Sequence, residues 1–233
     1  MTDDAVERLL RAHALPAELS PQLLALLALL ADSDAPTAVH DPVRAVDVHL
    51  ADSLAGLAVP ELRAARRLAD LGAGAGLPGL PLALALPDAH VLLVESQRRK
   101  CAFLERAAAA LGVTNVEIAC ARAEELVEDG CDAVTARALA ALPVLCEYAA
   151  PLLAEGGVLV AWKGAVDAAE DADGLAAAAT LGLEREAVHR VEPYRGSERR
   201  TLHVFRKIAP TPAGYPRRPG MAAKRPLRAA STP

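Results

Sequence analysis

The chain has 233 residues, 53% of them hydrophobic, and a formal net charge of −5 at pH 7. This length fits one α/β domain with additions, whereas no apolar run reaches the ~20 residues of a membrane-spanning helix, and the acidic N-terminus is wrong for a secretory signal. The four cysteines (Cys101, Cys120, Cys131 and Cys146) form no C-x-x-C pair or ligand-like cluster, so we predict buried thiols, a reducing compartment and a cytoplasmic location without membrane partners.

The N-terminal residues predict helices. Residues 3–31 show helical spacing of apolar side chains in two segments, the second starting with Ser20-Pro21 as N-cap and first helical residue. Asp41-Pro42 opens a third helix, on which His49 and Asp52 lie on one face. Such a pair could bind a metal, but a hydrogen-bonded pair in a core or cleft is favoured, and we predict no metal site.

After Pro60 the pattern alternates between strands and helices, beginning with a glycine-rich turn. The apolar run Leu68–Leu71 leads into Gly72-Ala73-Gly74-Ala75-Gly76, and an apolar segment with proline near its start follows. We predict strand, loop and helix, with glycines that leave no Cβ between the backbone and a ligand, and with free N–H groups at the helix start. A tight turn that binds nothing is the alternative.

The spacing of this loop argues against two common nucleotide motifs. Leu77 occupies the third glycine position of the dinucleotide fingerprint, and the Gly-Lys-Ser/Thr of a P-loop is missing from the sequence. Asp70, just before the loop, would repel an anion but favour a cationic ligand such as the sulfonium of S-adenosylmethionine. We therefore predict a methyltransferase whose cofactor contacts Asp70, Gly72, Gly74 and Gly76.

Acids near two further strand ends suit the rest of this cofactor. His90–Glu95 reads as a buried parallel strand, and Glu95 at its end can accept both hydrogens of a ribose diol; the alternative is that it caps the next helix. After a third strand, Asn115–Ala119, the N–H of Ala123 and the carboxylate of Glu124 suit the adenine edge. A charged helix start without a ligand is the alternative there.

Two cations follow the next strands. Cys131–Ala138 reads as the fourth strand and its exit, so Arg137 meets the edge where ligands gather in a parallel sheet. A guanidinium fits the O6/N7 edge of guanine or a phosphate, and a surface cation beside a glutamate is the alternative. Lys163 follows the fifth strand, Val158–Trp162, and would screen phosphate.

The remaining elements complete a sheet of seven strands. Helices are predicted for 97–112, Leu142–Leu153 and Asp167–Gly182, and the last two strands, a hairpin at one sheet edge, for Ala187–Val191 and Thr201–Lys207.

The C-terminal segment is basic. Residues 206–233 contain seven Lys/Arg and no acidic residue, so the preceding chain is strongly acidic. An acidic body with a basic tail suggests contact with nucleic acid. The tail (209–233) has too few apolar residues to pack alone, so we predict a flexible segment that becomes ordered on RNA phosphates, with a plain solvated tail as the alternative.

Taken together, these residues resemble the bacterial small-subunit rRNA (guanine-N7)-methyltransferases, also called glucose-inhibited division protein B, from about Leu23 to Leu227. The matching segments are Asp70–Pro81, Glu95–Leu104, Ala121–Glu125, Arg137-Ala138, Trp162-Lys163-Gly164 and the basic tail. Two positions depart from the family pattern. Ala35-Pro36-Thr37 stands where Asn-Leu-Thr is common, and Val48 stands where an arginine usually precedes the His-x-x-Asp-Ser element.

The resemblance implies a Rossmann-like class I methyltransferase fold of the α/β class, with a seven-stranded, mostly parallel sheet, helices on both faces and an N-terminal helical extension. We expect three regions: the helical extension (1–58), the S-adenosylmethionine-binding domain (59–208) and the basic tail (209–233). Cofactor contacts are implied for Gly72, Leu77, Ala123, Glu124 and Arg137, with Glu95 on the ribose.

The implied reaction is methylation of a guanine N7 in the 16S rRNA of the 30S subunit, by an expected monomer. The N7 lone pair needs no prior deprotonation, so Arg137 and Lys163 would act by positioning and electrostatics. In agreement, the sequence lacks the Asn/Asp-Pro-Pro-aromatic motif of amino-group enzymes and the Pro-Cys of carbon-5 enzymes. The alternatives are a non-catalytic rRNA-binding assembly factor and an NAD(P)-dependent oxidoreductase.

Overall fold

The computed structural model describes residues 2–126 and 130–230. The parts of the predicted regions at Met1, 127–129 and 231–233 lie outside the described residues. Within the described residues, the strands are β1 (Arg67–Leu71), β2 (His90–Val94), β3 (Val116–Ala119), β4 (Cys131–Arg137), β5 (Leu153–Lys163), β6 (Leu183–Arg190) and β7 (Thr201–Lys207).

Among the described residues, five α-helices precede β1, four lie between later strands and one follows β7. They are α1 (Thr2–Ala12), α2 (Ser20–Ala31), α3 (Pro42–Ala45), α4 (Asp52–Leu54), α5 (Pro60–Ala64), α6 (Gly79–Ala85), α7 (Arg98–Leu111), α8 (Leu142–Ala149), α9 (Ala168–Thr180) and α10 (Met221–Lys224). Ser20 is the first residue of α2 and follows a 3-10 turn, Ala17–Leu19; its side chain caps nothing, so the N-cap prediction is wrong. Asp41 does cap the third helix, because its Oδ1 accepts a hydrogen bond of 2.8 Å from the Arg44 N–H.

The described strands form one seven-stranded sheet in the order β3-β2-β1-β4-β5-β7-β6. Neighbouring strands from β3 to β5 are parallel, and β7 is antiparallel to both β5 and β6. The predicted fold, with its hairpin at one sheet edge, is confirmed. The strand order reverses between β1 and β4, so a crevice opens at their carboxyl ends, where open α/β sheets bind ligands.

Successive strand residues face two separate apolar clusters, as the pleat requires. Val160 belongs to the first cluster, which also contains Leu26 of α2 and Leu104 of α7. Leu159 belongs to the second cluster, together with Leu145 of α8. The N-terminal helices are therefore packed on one face of the sheet and share its core.

The basic tail folds back onto the domain instead of standing free. Tyr215 and Leu227 pack against the second apolar cluster, and Arg217 forms an ion pair with the fully buried Glu147 of α8. The expectation of a flexible, unpacked tail is corrected on this point, because buried partners in the domain supply the contacts that the tail lacks alone. The region boundaries themselves stay a prediction.

The cysteines also differ from expectation. Cys101 of α7 and Cys120 form a disulfide across a sequence separation of 19 residues, and Cys120 is exposed. Cys131 and Cys146 are buried. The prediction of buried thiols is therefore wrong for the first pair, whose spacing gives no signal of pairing. Among the described residues, no helix combines the length and apolarity needed to cross a membrane.

Candidate active site

The glycine loop (residues 72–78) joins β1 to α6, and the side chain of Asp70 accepts a hydrogen bond from the residue that follows the loop. This side chain is fully buried; its Oδ2 accepts a hydrogen bond of 3.0 Å from the Gly79 N–H and its Oδ1 one of 2.8 Å from the Thr135 hydroxyl. Burial raises the pKa of Asp70 to about 7, and the two hydrogen bonds act in the opposite direction. Asp70 therefore organises the loop, and its carboxyl group is only partly ionised at neutral pH.

A cavity of about 330 Å³ lies beside this loop at the carboxyl ends of the strands. Its lining residues come from the glycine loop, the segments that follow β2 and β3, the first turn of α7, the β4 exit loop (residues 138–141) and α8: Gly72, Val94, Glu95, Ser96, Gln97, Lys100, Ala121, Arg122, Ala123, Glu124, Ala138, Leu139 and Tyr148. Of the predicted cofactor residues, Gly72, Glu95, Ala123 and Glu124 line the cavity. Asp70, Gly74, Gly76, Leu77 and Arg137 do not, and lie behind or beside its walls.

Glu95 connects the loop to the start of α7. Its Oε2 accepts a hydrogen bond of 3.1 Å from the Gly74 N–H, and its Oε1 accepts one of 2.9 Å from the Gln97 N–H. The ammonium of Lys100 is 3.9 Å from Oε2. The helix-capping alternative is thus partly realised, yet each carboxylate oxygen keeps acceptor capacity for a ligand hydroxyl.

Glu124 and Tyr148 form the opposite part of the lining. Glu124 belongs to the 3-10 turn Ala123–Glu125, and Tyr148 lies on α8. Burial, followed by the charge of the neighbouring Glu124 carboxylate, raises the pKa of the Tyr148 phenol to about 12. Glu124 Oε1 also accepts a hydrogen bond of 2.7 Å from the Gly220 N–H. Sequence analysis missed Tyr148; its hydroxyl, next to Glu147 on the largely apolar helix α8, is the available signal.

Arg137 is fixed by the N-terminal extension. Its Nη1 donates to Asp52 Oδ2 at 2.8 Å and to the Val48 carbonyl at 3.2 Å. Arg200 Nε lies 2.7 Å from Asp52 Oδ1, although its N–H is not aligned with that oxygen, so this contact is an ion pair. Asp52 is 1% exposed and its carbonyl accepts from the Trp162 indole. The buried Asp52 therefore holds two arginines beside the end of β4.

The backbone around Asp52 departs from regular helix. Residues Val46–Ala51 form a π-helical turn between α3 and α4, a feature common at functional sites. His49 in this turn lies 3.0 Å from Thr37 Oγ1 and 3.2 Å from the Val39 carbonyl through its Nε2, and burial lowers its pKa. His49 and Asp52 are both buried but have separate protein partners, so they do not form the hydrogen-bonded pair that the sequence favours. No group of three or more potential metal ligands occurs among the described residues.

Lys163 lies on the other side of the β4 exit loop. Its ammonium is 2.6 Å from Glu170 Oε1 and donates to the Ala140 carbonyl at 3.2 Å. Ala138 in this loop has a positive φ of 54°, which is uncommon for a residue with a Cβ. Arg137 and Lys163 therefore flank a strained turn whose residues Ala138 and Leu139 line the cavity.

The lining fits S-adenosylmethionine chemically. The carboxylates of Glu95 and Glu124 can accept hydrogen bonds from hydroxyl and amino groups, and both can attract the cationic groups of this molecule. Lys100 and Arg122 supply positive charge for its carboxylate. Gly72 brings bare backbone to the same cavity, so the residues present match the mixed charge of this cofactor.

Comparison with known proteins agrees with this chemistry. The family model described as rRNA small subunit methyltransferase G matches residues 18–200. A protein of that name from Rubrobacter xylanophilus is 44% identical over 197 residues, covering 81% of this chain and 76% of the relative. Another, from Deinococcus deserti, is 39% identical over 239 residues, covering 97% and 98%.

Solved structures support the fold. The mitomycin 7-O-methyltransferase MmcR matches with a TM-score of 0.58 and 15% identity, covering 78% of this chain and 60% of that one. A mutant of MtNAS in complex with S-adenosylmethionine matches with a TM-score of 0.56 and 14% identity, covering 80% and 73%.

The curated relatives are methyltransferases by name, so neither an oxidoreductase nor a non-catalytic assembly factor is favoured. The chain belongs to the rRNA small subunit methyltransferase G family and is an S-adenosylmethionine-dependent enzyme that methylates ribosomal RNA of the small subunit.

Proposed function

We propose that the chain methylates N7 of a guanine in 16S rRNA, with S-adenosylmethionine in the cavity beside the glycine loop. The proposal rests on one observation. A cavity lined by two carboxylates lies near two arginines and a lysine, all at the carboxyl ends of the parallel strands. S-adenosylmethionine supplies an electrophilic methyl group when bound. The residues of the chain bind, orient and shield the reactants.

The cofactor roles follow from the geometry of the loop. Glu95 is proposed to accept from the ribose, and Ala123 with Glu124 to contact the adenine. Asp70 and the N–H of Gly74 would act through the shape of the loop, because both make hydrogen bonds within it or to Glu95.

The substrate roles are proposed for the cations that flank the β4 exit loop. Arg137 uses Nη1 for its protein partners, and within the described residues its other guanidinium nitrogens make no hydrogen bond. They remain donors for guanine O6 or a phosphate, which leaves the N7 lone pair free to react. Lys163 would screen a phosphate. The reaction needs no general base, so alignment and charge supply the catalysis.

The finer assignments of partner and place belong to the same proposal. The assembled 30S subunit is the proposed substrate particle, the enzyme is proposed to act as a monomer, and this substrate implies a cytoplasmic location. The support is the family resemblance and the name of the relatives.

A transfer assay tests the reaction. Labelled S-adenosylmethionine is incubated with the full chain and either 30S subunits or naked 16S rRNA, and the labelled nucleotide is identified after digestion. We expect 7-methylguanosine from the wild type. Arg137→Ala should lose the product while binding S-adenosylhomocysteine, because the missing guanidinium no longer positions the base.

Arg8→Ala is the matched control, since Arg8 is exposed on α1 and its side chain makes no hydrogen bond or ion pair within the described residues. This variant should transfer label at the wild-type rate. Label on another atom of the base, or wild-type turnover by Arg137→Ala, contradicts the proposal.

A further inference from the structure

The C-terminal segment is fixed to the wall of the proposed cofactor cavity. Residues 215–229, here called the strap, run across α8, the 3-10 turn Ala123–Glu125 and α9. We propose that the strap is part of the cofactor-binding site, holding Glu124 and Tyr148 in place and thereby setting the affinity for S-adenosylmethionine. This inference rests on the proposed placement of the cofactor in that cavity.

The first anchor of the strap is Arg217. Its Nε lies 2.9 Å from Glu147 Oε1, its Nη2 lies 2.5 Å from Oε2, and its backbone N–H donates to Oε1 at 3.0 Å. The Glu147 side chain is 0% exposed. A buried carboxylate without its cation is strongly unfavourable, so this pair fastens the strap to α8.

The second anchor reaches the cavity itself. The Gly220 N–H donates to Glu124 Oε1 at 2.7 Å, and Glu124 lines the cavity. Gly220 has a φ of 81°, a left-handed conformation that glycine adopts without strain. Because the donor is a backbone group, the type of side chain gives no hint of this contact.

The two anchors contact neighbouring parts of the same cavity wall, α8 and the 3-10 turn. Glu147 and Tyr148 are consecutive residues of α8, so the turn that presents Tyr148 to the cavity is the turn that Arg217 holds. Tyr148 lines the same cavity as Glu124, which Gly220 holds. The strap thus joins α8, which carries Tyr148, to the 3-10 turn, which carries Glu124.

An alternative role for the strap is contact with RNA phosphate through its cations. Two adjacent arginines separate the roles. Arg217 is paired with Glu147, whereas Arg218 is exposed and its side chain makes no hydrogen bond or ion pair within the described residues. Loss of Arg217 should affect the cofactor, and loss of Arg218 should not.

The test measures binding of S-adenosylhomocysteine by calorimetry, together with kcat and both KM values, for full-length variants. Arg217→Ala should raise Kd for S-adenosylhomocysteine and KM for S-adenosylmethionine by about tenfold or more. At saturating cofactor, kcat and KM for the RNA should stay within about twofold of wild type. Arg217→Lys should recover part of the affinity because it keeps the charge but loses the bidentate geometry.

Arg218→Ala is the matched control and should bind S-adenosylhomocysteine as the wild type does. Hydrogen exchange of the wild type supplies a second measurement that needs no variant. By linkage, S-adenosylhomocysteine should slow exchange of the strap amides, the Gly220 amide included.

Three outcomes overturn the inference: wild-type affinity in Arg217→Ala, an equal loss in Arg218→Ala, or strap exchange that S-adenosylhomocysteine leaves unchanged. Failure of the proposed function looks different. In that case the wild type does not bind S-adenosylhomocysteine, or binds it with an affinity that Glu95→Gln leaves unaltered.

Discussion

At the scale of single residues, Asp70 connects three elements next to the site: β1, β4 and α6. It lies at the end of β1, accepts from Thr135 of β4 and accepts from Gly79 at the start of α6. Its raised pKa means that it attracts a cation less than an ordinary carboxylate would. Asp70 therefore contributes more by shaping the loop than by attracting the positively charged sulfonium.

The protonation of Asp70 should make stability depend on pH. Its pKa is 3.8 in a model compound and about 7 in the folded chain, so between these pH values the folded state keeps a proton that the unfolded state has lost. The free energy of unfolding should therefore fall as pH rises through this window, by an amount of the order of 4 kcal/mol, and then level off above pH 7. Urea unfolding of the wild type and Asp70→Asn, from pH 4.5 to 8, measures this.

Asp70→Asn cannot titrate and should show a flatter profile over the same window. Other groups contribute equally to both curves, so the difference between them isolates Asp70. Parallel curves would mean that this carboxyl is ionised in the folded state at all these pH values.

The ion pairs between residues distant in sequence are the part of the site that the sequence does not predict. Arg137 was identified from its place after β4, but its partner Asp52 is far away in sequence and was considered only with His49. Glu147 and Arg217 are likewise distant in sequence, and each alone looks like a surface charge. Such pairs depend on tertiary packing, which periodicity does not describe.

At the scale of elements, local backbone chemistry explains both successes and misses. Gly112 was predicted to end α7, and it does so with a left-handed φ of 64°. The sequence predicts the fifth strand at Val158–Trp162, yet β5 begins at Leu153 and passes through Gly156 and Gly157 with a shift in register against β4. A glycine pair fits a bulge as well as a turn, so the sequence leaves the choice to the neighbouring strand.

Gly79 is an element boundary beside the site at which a side chain should be harmful. A Cβ at this position would lie 2.2 Å from Leu93 Cδ2 and 2.8 Å from Asp70 Oδ2. Gly79→Ala should therefore lower the free energy of unfolding by about 1–3 kcal/mol and weaken binding of S-adenosylhomocysteine, because α6 must move away from β2. Urea unfolding and calorimetric titration measure the two effects.

Gly164→Ala is the comparison, since a Cβ there meets no atom within 4 Å. Its free energy of unfolding should stay within about 0.5 kcal/mol of wild type. Equal stability of the two variants would show that α6 can shift at no cost.

At the scale of the whole molecule, the sheet order determines where chemistry can occur. The reversal between β1 and β4 places the glycine loop, Glu95 and the β4 exit loop around one crevice. Strand alternation and the glycine loop were sufficient to predict this layout. The docking of the tail was not predictable, because its composition is that of a segment without a core of its own.

Cofactor binding should stabilise the folded chain as a unit. At one hundred times its Kd, S-adenosylhomocysteine should add about 2.7 kcal/mol to the free energy of unfolding. For a chain of this size that corresponds to a rise in Tm of about 5–10 °C. Differential scanning calorimetry measures the shift, and NADPH at the same concentration should give none. A shift with NADPH alone would support the oxidoreductase alternative.

The contact between Arg217 and Glu147 also has a consequence for biosynthesis. During translation, α8 leaves the ribosome many residues before Arg217 does, so its inward-facing carboxylate waits without a counter-ion while the strands assemble. The nascent chain can form its sheet in that interval, but the wall of the cavity that the strap contacts is still incomplete. An enzyme of this design becomes competent for tight ligand capture only after the strap has been synthesised.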